Sequence, residues 1–189
     1  MKILVSGFEP FDGDDTNPSA ELLNWFLARE LPFELVTVLL PVTFDGAFKA
    51  LKQTIDMVKP DMVVATGLAK NRSEITVERI GINWVDARIP DNAGITLSAQ
   101  KIVSTGPDGI FSRLPVMEMI EASRAVGVPA KLSTSAGEYV CNHVLYLLLQ
   151  EFPQLSAGFI HLPLTPNFLG VEEMLRVCAT YGGHRTYAE

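Results

Sequence analysis

Apolar residues follow two rhythms along the chain. Lys2–Ser6, Glu34–Leu40, Asp61–Thr66 and Gly158–Leu162 are short, nearly unbroken apolar runs, bounded by glycine, proline or charged residues. Runs of that kind predict strands buried on both faces. Elsewhere the apolar positions recur at spacings of three and four. Leu22, Leu23, Phe26 and Leu27 form such a stripe within Ser19–Arg29, and Phe48, Leu51, Ile55 and Val58 within Phe44–Val58. These predict amphipathic helices, and Asn17-Pro18-Ser19 supplies capping chemistry ahead of the first. Pro115–Ala125, Tyr139–Gln150 and Val171–Tyr181 read as further helices, Ala130–Thr134 as a short strand, and residues 75–85 as extended.

Strands alternating with helices predict an α/β fold with a mainly parallel sheet covered on both faces. In such sheets the site lies beyond the carboxyl ends of the strands, so catalytic residues are expected just after strands. No linker, repeat or low-complexity block interrupts the pattern, and residues 1–189 read as a single domain.

Composition narrows the classes. The net charge of −7 argues against a nucleic-acid footprint. No apolar run is long enough to span a bilayer, and MKILVSGFEPF lacks the form of a signal peptide. Two cysteines do not make a disulfide framework, so a reducing cytoplasm is the expected compartment. No histidine–carboxylate cluster stands at metal-ligand spacing, and no glycine-rich phosphate loop follows a predicted strand. Neither metal nor cofactor is expected.

Cys141 falls in the first turn of the predicted helix after Ala130–Thr134 and the Ala136-Gly137 turn. A helix start favours a thiolate and offers free N–H groups to an oxyanion. A lone cysteine is more often structural, and the position leaves both readings open. Cys178, on an amphipathic helix, reads as structural.

Among the histidines, His143 lies two residues from Cys141 and therefore on another helix face. His184 sits in the polar tail. His161 ends an apolar strand, where the sheet argument puts catalytic groups; a lone strand histidine is more often a core residue, but elimination of the other two tips the balance toward a base. If residues 75–85 are one strand, Glu78 shares a face with Ile80, Ile82 and Trp84. A carboxylate in an apolar row needs a partner. A histidine N–H would serve, and a salt bridge to Arg72, Arg79 or Arg88 would serve equally well. Glu74 and Asp86 are weaker candidates.

SGFEPFDG at 6–13, Asn17-Pro18-Ser19, ITVERIGIN at 75–83, DARIPDN at 86–92, VCNHVLY at 140–146 and GFIHLP at 158–163 follow one another in order. In this the sequence resembles the type I pyroglutamyl peptidases, also called pyrrolidone-carboxylate peptidases. The resemblance implies a three-layer α/β/α sandwich with a mixed sheet, and a cofactor-free cysteine peptidase that removes N-terminal pyroglutamate. It also implies a homotetramer. It puts the catalytic triad on Glu78, Cys141 and His161, and substrate binding on Phe8, Phe11, Asn17, Arg88 and Tyr139. The chain departs from the family pattern in GLAKNR at 67–72, where the family carries Gln and a Gly-Gly pair in place of Leu68, Lys70 and Asn71. Asp12 replaces a glycine, Tyr139 a phenylalanine, and the Cys141–His161 interval is shorter. Two other classes fit the pattern: a thiol amidase for another small lactam or amide, and a non-catalytic α/β ligand-binding module.

Overall fold

The computed structural model describes residues 1–181; His184 lies outside them. A six-stranded sheet runs in the order β2-β1-β3-β8-β4-β7. Its centre is built from the most continuous apolar runs: β1 (Lys2–Phe8), β3 (Met62–Leu68) and β8 (Ser156–Leu162), each buried over nearly its whole length. With β2 (Glu34–Leu40) at the edge, these four strands run parallel.

The last two strands run the other way. β4 (Ile75–Glu78) pairs antiparallel with β8, and β7 (Ala130–Ser133) pairs parallel with β4. The sheet is therefore mixed. The extended segment 75–85 is not one strand either. The chain leaves the sheet at Arg79, whose N–H donates to Ser133 O of β7 and whose carbonyl accepts from Ser112 N. It then forms β5 (Ile80–Ile82), which pairs with β6 (Gly109–Phe111) in a separate antiparallel ribbon. The expected row of Glu78 with Ile80, Ile82 and Trp84 is thus corrected. Glu78 shares its face with Thr76, and Trp84 is 37% exposed.

Helices cover both faces. α1 (Pro18–Phe26), α3 (Val116–Ala125) and α5 (Phe168–Tyr181) pack with Ile3, Val5, Val64, Val77 and Ile160 on one side. α2 (Phe44–Val58) and α4 (Val140–Glu151) pack with Leu4, Val63, Ala65 and Phe159 on the other. α1 begins where Asn17 Oδ1 accepts from Ser19 N, with Pro18 at the first helical position. α2 begins at Thr43, whose hydroxyl accepts from Gly46 N, and ends at left-handed Lys59 before Pro60. Among the described residues no helix is long and apolar enough to cross a membrane.

α1 sits close against β1 at Gly7. A Cβ on Gly7 would stand 2.3 Å from the carbonyl oxygen of Ser19. That neighbour is backbone, so relief requires moving the helix. Gly7→Ala should therefore lower stability by about 1–3 kcal/mol, read as a lower urea midpoint at unchanged slope.

Candidate active site

The face of the sheet under α2 and α4 carries an unusual polar sequence. On β8 the residues facing that way are Ala157, Phe159 and His161, and the register puts His161 opposite Gly67 of β3 and Thr76 of β4. Glu78 lies two residues beyond Thr76, so it shares the face and sits diagonal to His161 on the neighbouring strand. Its Oε1 lies 2.8 Å from His161 Nδ1. Both groups are buried, Glu78 completely and His161 to within 4%.

The register of β4 against β8 sets this meeting. His161 is the penultimate residue of β8, at the carboxyl end where sites in parallel sheets lie. Glu78 comes to it on a strand running back into the sheet, from below. A site built only from residues just after parallel strands would not contain this carboxylate.

Arg72, in the loop between β3 and β4, donates from Nη1 to the same Glu78 Oε1 at 2.6 Å and also to Thr76 Oγ1. Its Nη2 donates to Ser135 O at 2.7 Å. The two partners weighed for Glu78, a histidine and an arginine, are thus present together on one oxygen. Burial alone would raise the Glu78 carboxyl. The bond and charge of His161, with smaller contributions from Ser133 and Arg72, more than offset that and hold it below the usual carboxylate value.

Cys141 arrives from above. The loop after β7 turns at Gly137, at φ +82°, and starts α4 at Val140. The Cys141 sulfur lies 3.0 Å from where a Cβ on Gly67 would stand. Gly67 is the register partner of His161, so the thiol stands over the strand next to the imidazole, where strand spacing is about 4.8 Å. A side chain at position 67 would occupy the sulfur's place, which accounts for glycine there. Asn142, missed in the sequence, locks this first turn: its amide donates to Ile82 O and Trp84 O and accepts from Ile82 N.

Both Cys141 and His161 line a cavity of about 800 Å³, together with Phe11, Tyr139, Arg72 and Arg88. Phe11 and Tyr139 make one wall, with ring centroids 6.1 Å apart, and Tyr139 is fixed by donating its hydroxyl to Pro90 O. Leu68, Lys70 and Asn71 also line the cavity. Lys70 pairs with Asp14 at 2.6 Å and Asp12 at 3.5 Å, and its ammonium lies 5.3 Å from the Phe11 ring centre.

Two residues expected at the substrate stand behind this wall. Phe8 is 3% exposed and packs on Phe159. Asn17 is 2% exposed, and its amide is taken up by capping α1 and by donating to Glu9 O. Asn17 thereby anchors the turn that carries Phe11. His143 stacks edge-on against Phe44. Burial pushes its pKa down to about 4, so it is neutral. Cys178 is fully buried in the other core layer. No group of three His, Cys, Asp or Glu side chains among the described residues is placed to hold a metal.

The resting protonation of the pair follows from its seat. Burial and the nearby Glu78 charge push the Cys141 thiol up to about 12, and Arg72 offsets only part of this. Burial also lowers the His161 imidazole, and Glu78 offsets only part of that. The pair rests as neutral thiol and neutral imidazole, with Nδ1–H donated to Glu78 and Nε2 left free to accept a proton. Burial outweighs the helix start that favours a thiolate.

The profile of the pyroglutamyl peptidase family matches residues 1–175. The pyrrolidone-carboxylate peptidase of Levilactobacillus brevis is 44% identical over 171 residues, covering 88% of this chain and 84% of that one. That of Erwinia tasmaniensis is 44% identical over 169 residues, 88% of this chain and 79% of its own. Among solved structures, the pyrrolidone carboxyl peptidase from Thermococcus litoralis superposes with a TM-score of 0.90 at 34% identity, over 95% of this chain and 94% of that one. The pyroglutamyl peptidase I from Bacillus amyloliquefaciens does so at 0.89 and 32%, over 97% and 95%. A profile spanning Glu78, Cys141 and His161, and a fold shared over almost its whole length, mean that the chain belongs to the pyroglutamyl peptidase family.

Proposed function

We propose that this protein is a cysteine peptidase that removes N-terminal pyroglutamate from peptides, with Cys141 as nucleophile, His161 as base and Glu78 as the acid that orients the imidazole. One observation carries the reading: a thiol and an imidazole open onto the same cavity, and the imidazole's Nδ1 is tied to a buried carboxylate. That bond selects the tautomer whose Nε2 faces outward as a base.

The reaction is acyl transfer in two halves. His161 takes the thiol proton as the Cys141 sulfur attacks the pyroglutamyl carbonyl. The oxyanion forms against the free N–H groups at the start of α4, with Arg88 alongside. The imidazolium returns its proton to the leaving amine as the C–N bond breaks, leaving a thioester. Water then attacks the thioester with His161 again as base, releasing pyroglutamate and restoring the thiol. Glu78 stabilises the imidazolium in both halves.

The cavity wall suits the substrate. A pyroglutamyl ring is flat and uncharged, and the Phe11 and Tyr139 rings would cover its faces while backbone groups bind its lactam edge. A protonated amino terminus would bring a charge that such a wall cannot satisfy. Phe8 and Asn17 would then act from behind, by fixing Phe159 and the Phe11 turn. In keeping with the family resemblance, the reading extends to a cytoplasmic homotetramer.

Cys141→Ala should abolish hydrolysis of a pyroglutamyl fluorogenic amide while leaving circular dichroism and melting temperature near wild type; comparable turnover would end the reading. The wild type should prefer that substrate over prolyl and glutaminyl analogues.

Iodoacetamide should label Cys141 in the native protein and reach Cys178 only after denaturation, as mass spectrometry would record. Equal labelling of both would favour a non-catalytic module.

The pH profile has a definite sign. The active form needs neutral His161, whose folded pKa lies below the ordinary 6.5. Activity should therefore be lost only as pH falls through a midpoint below 6.5. With the thiol near 12, log kcat/KM should stay level above pH 9. A fall near pH 8–9 would instead indicate a resting thiolate–imidazolium pair.

A further inference from the structure

The guanidinium of Arg72 joins two parts of the site that lie far apart in the sequence, β4 and the loop after β7. It donates to Glu78 Oε1, to Thr76 Oγ1 on the same strand, and to Ser135 O in the loop that delivers Cys141. The acceptor on Glu78 is the oxygen that holds His161. Arg72 is mostly covered, with a side-chain exposure of 23%, while Glu78 has none. We propose that Arg72 is a positioning residue that locks the Glu78 carboxylate against His161 and, through Ser135, holds the nucleophile's loop over the same pair.

The proposal rests on the triad reading above and adds a member to it. A carboxylate with one donor can rotate about its last bond. With Arg72 and His161 both on Oε1, and Arg72 itself fixed by Thr76, the oxygen facing the imidazole has one place to be. The Ser135 bond holds the loop just ahead of its turn at Gly137, and joins the bonds of Tyr139 and Asn142 in fixing the segment that carries Cys141. A planar fork is suited to reaching several acceptors at fixed angles, and a lysine ammonium is not.

Arg72 also acts by charge. The charged groups acting on the imidazole are Glu78 from β4 and Arg72 from the preceding loop; Cys141 of α4 lines the same cavity, and the β3 register partner is Gly67. The cation opposes protonation of His161 and favours ionisation of Cys141. Its removal should let the imidazole keep its proton to a higher pH.

The test compares Arg72→Gln and Arg72→Lys with the wild type. Arg72→Gln should lower kcat on the order of 100-fold, with KM changed less than about threefold. It should also move the acid limb of kcat/KM to higher pH. Arg72→Lys keeps the charge without the fork, so it should keep the wild-type acid limb and recover only part of kcat. A readout without substrate accompanies these: the far-downfield proton NMR signal of His161 Nδ1–H should broaden or vanish in Arg72→Gln, and Cys141 should be alkylated more slowly at fixed pH. If the wild type fails to cleave pyroglutamyl amides, the triad reading falls while these two signals still decide the Arg72 role. Wild-type kcat, pH profile and Nδ1–H signal in Arg72→Gln would overturn the inference. So would a loss of kcat with an unmoved acid limb and unmoved signal, or failure of both variants to fold, since either makes Arg72 a scaffold residue only.

Discussion

A fully buried carboxylate cannot be left to itself. Without water, an ionised Glu78 must be met by donors or take up a proton and cease to orient anything. The fold answers with two donors on one oxygen, His161 at 2.8 Å and Arg72 at 2.6 Å. Most of the architecture around the site follows from that requirement. β4 runs antiparallel to β8, in a register that puts Glu78 diagonal to His161 on the shared face. The chain leaves the sheet right after Glu78, at Arg79. The loop before β4 must return Arg72 over Thr76. Removing one donor would leave a buried charge half-paired, which is why the pieces are interdependent and not additive.

The same burial decides the chemistry of the sulfur. A helix start stabilises an anion by about 0.3–1 kcal/mol, less than one pK unit. The thiol is displaced from 9.0 to about 12, with burial the largest cause and Glu78 the next. The smaller effect loses. In the proposed mechanism the helix would therefore act through its N–H groups more than by pre-ionising the sulfur. Glu78 enters both sides of this balance. Its negative charge disfavours a resting thiolate and, in the proposed mechanism, would stabilise the imidazolium once the proton has moved.

The sequence disclosed the elements whose signal is strong and local. β1, β3 and β8 are continuous apolar runs because both faces are covered, and α2 shows its stripe because one face is wet. Strand direction is different in kind. Four residues of β4 read the same either way, and the antiparallel pairing with β8 is set by where the loops begin and end. β6, three residues beside Pro107 and Ser112, carries too short a pattern to see at all. The parity argument reached Glu78 through the wrong neighbours: Ile80 and Ile82 belong to another ribbon, while Thr76 and His161 form the true row. Arg72 was visible only as a rival to His161 for that carboxylate. Sequence reasoning assigns one partner to one charge, whereas an oxygen with two lone pairs accepts two donors.

Asp12 and Lys70 show how two departures from the family pattern belong to one physical feature. Asp12 adopts φ 57°, a left-handed conformation, at a position where the resemblance implies glycine. Aspartate is among the side chains that tolerate that region. Lys70, also in place of a glycine, reaches across the cavity mouth to Asp12 and Asp14 and lies against Phe11. A single exposed ion pair contributes little to stability. Here one ammonium meets two carboxylates and an aromatic face at once, and all of them sit on the turn that carries the cavity wall. The contact therefore acts on the placement of Phe11 more than on the stability of the fold. A charged clasp thus ties the Lys70 loop to the turn that carries Phe11.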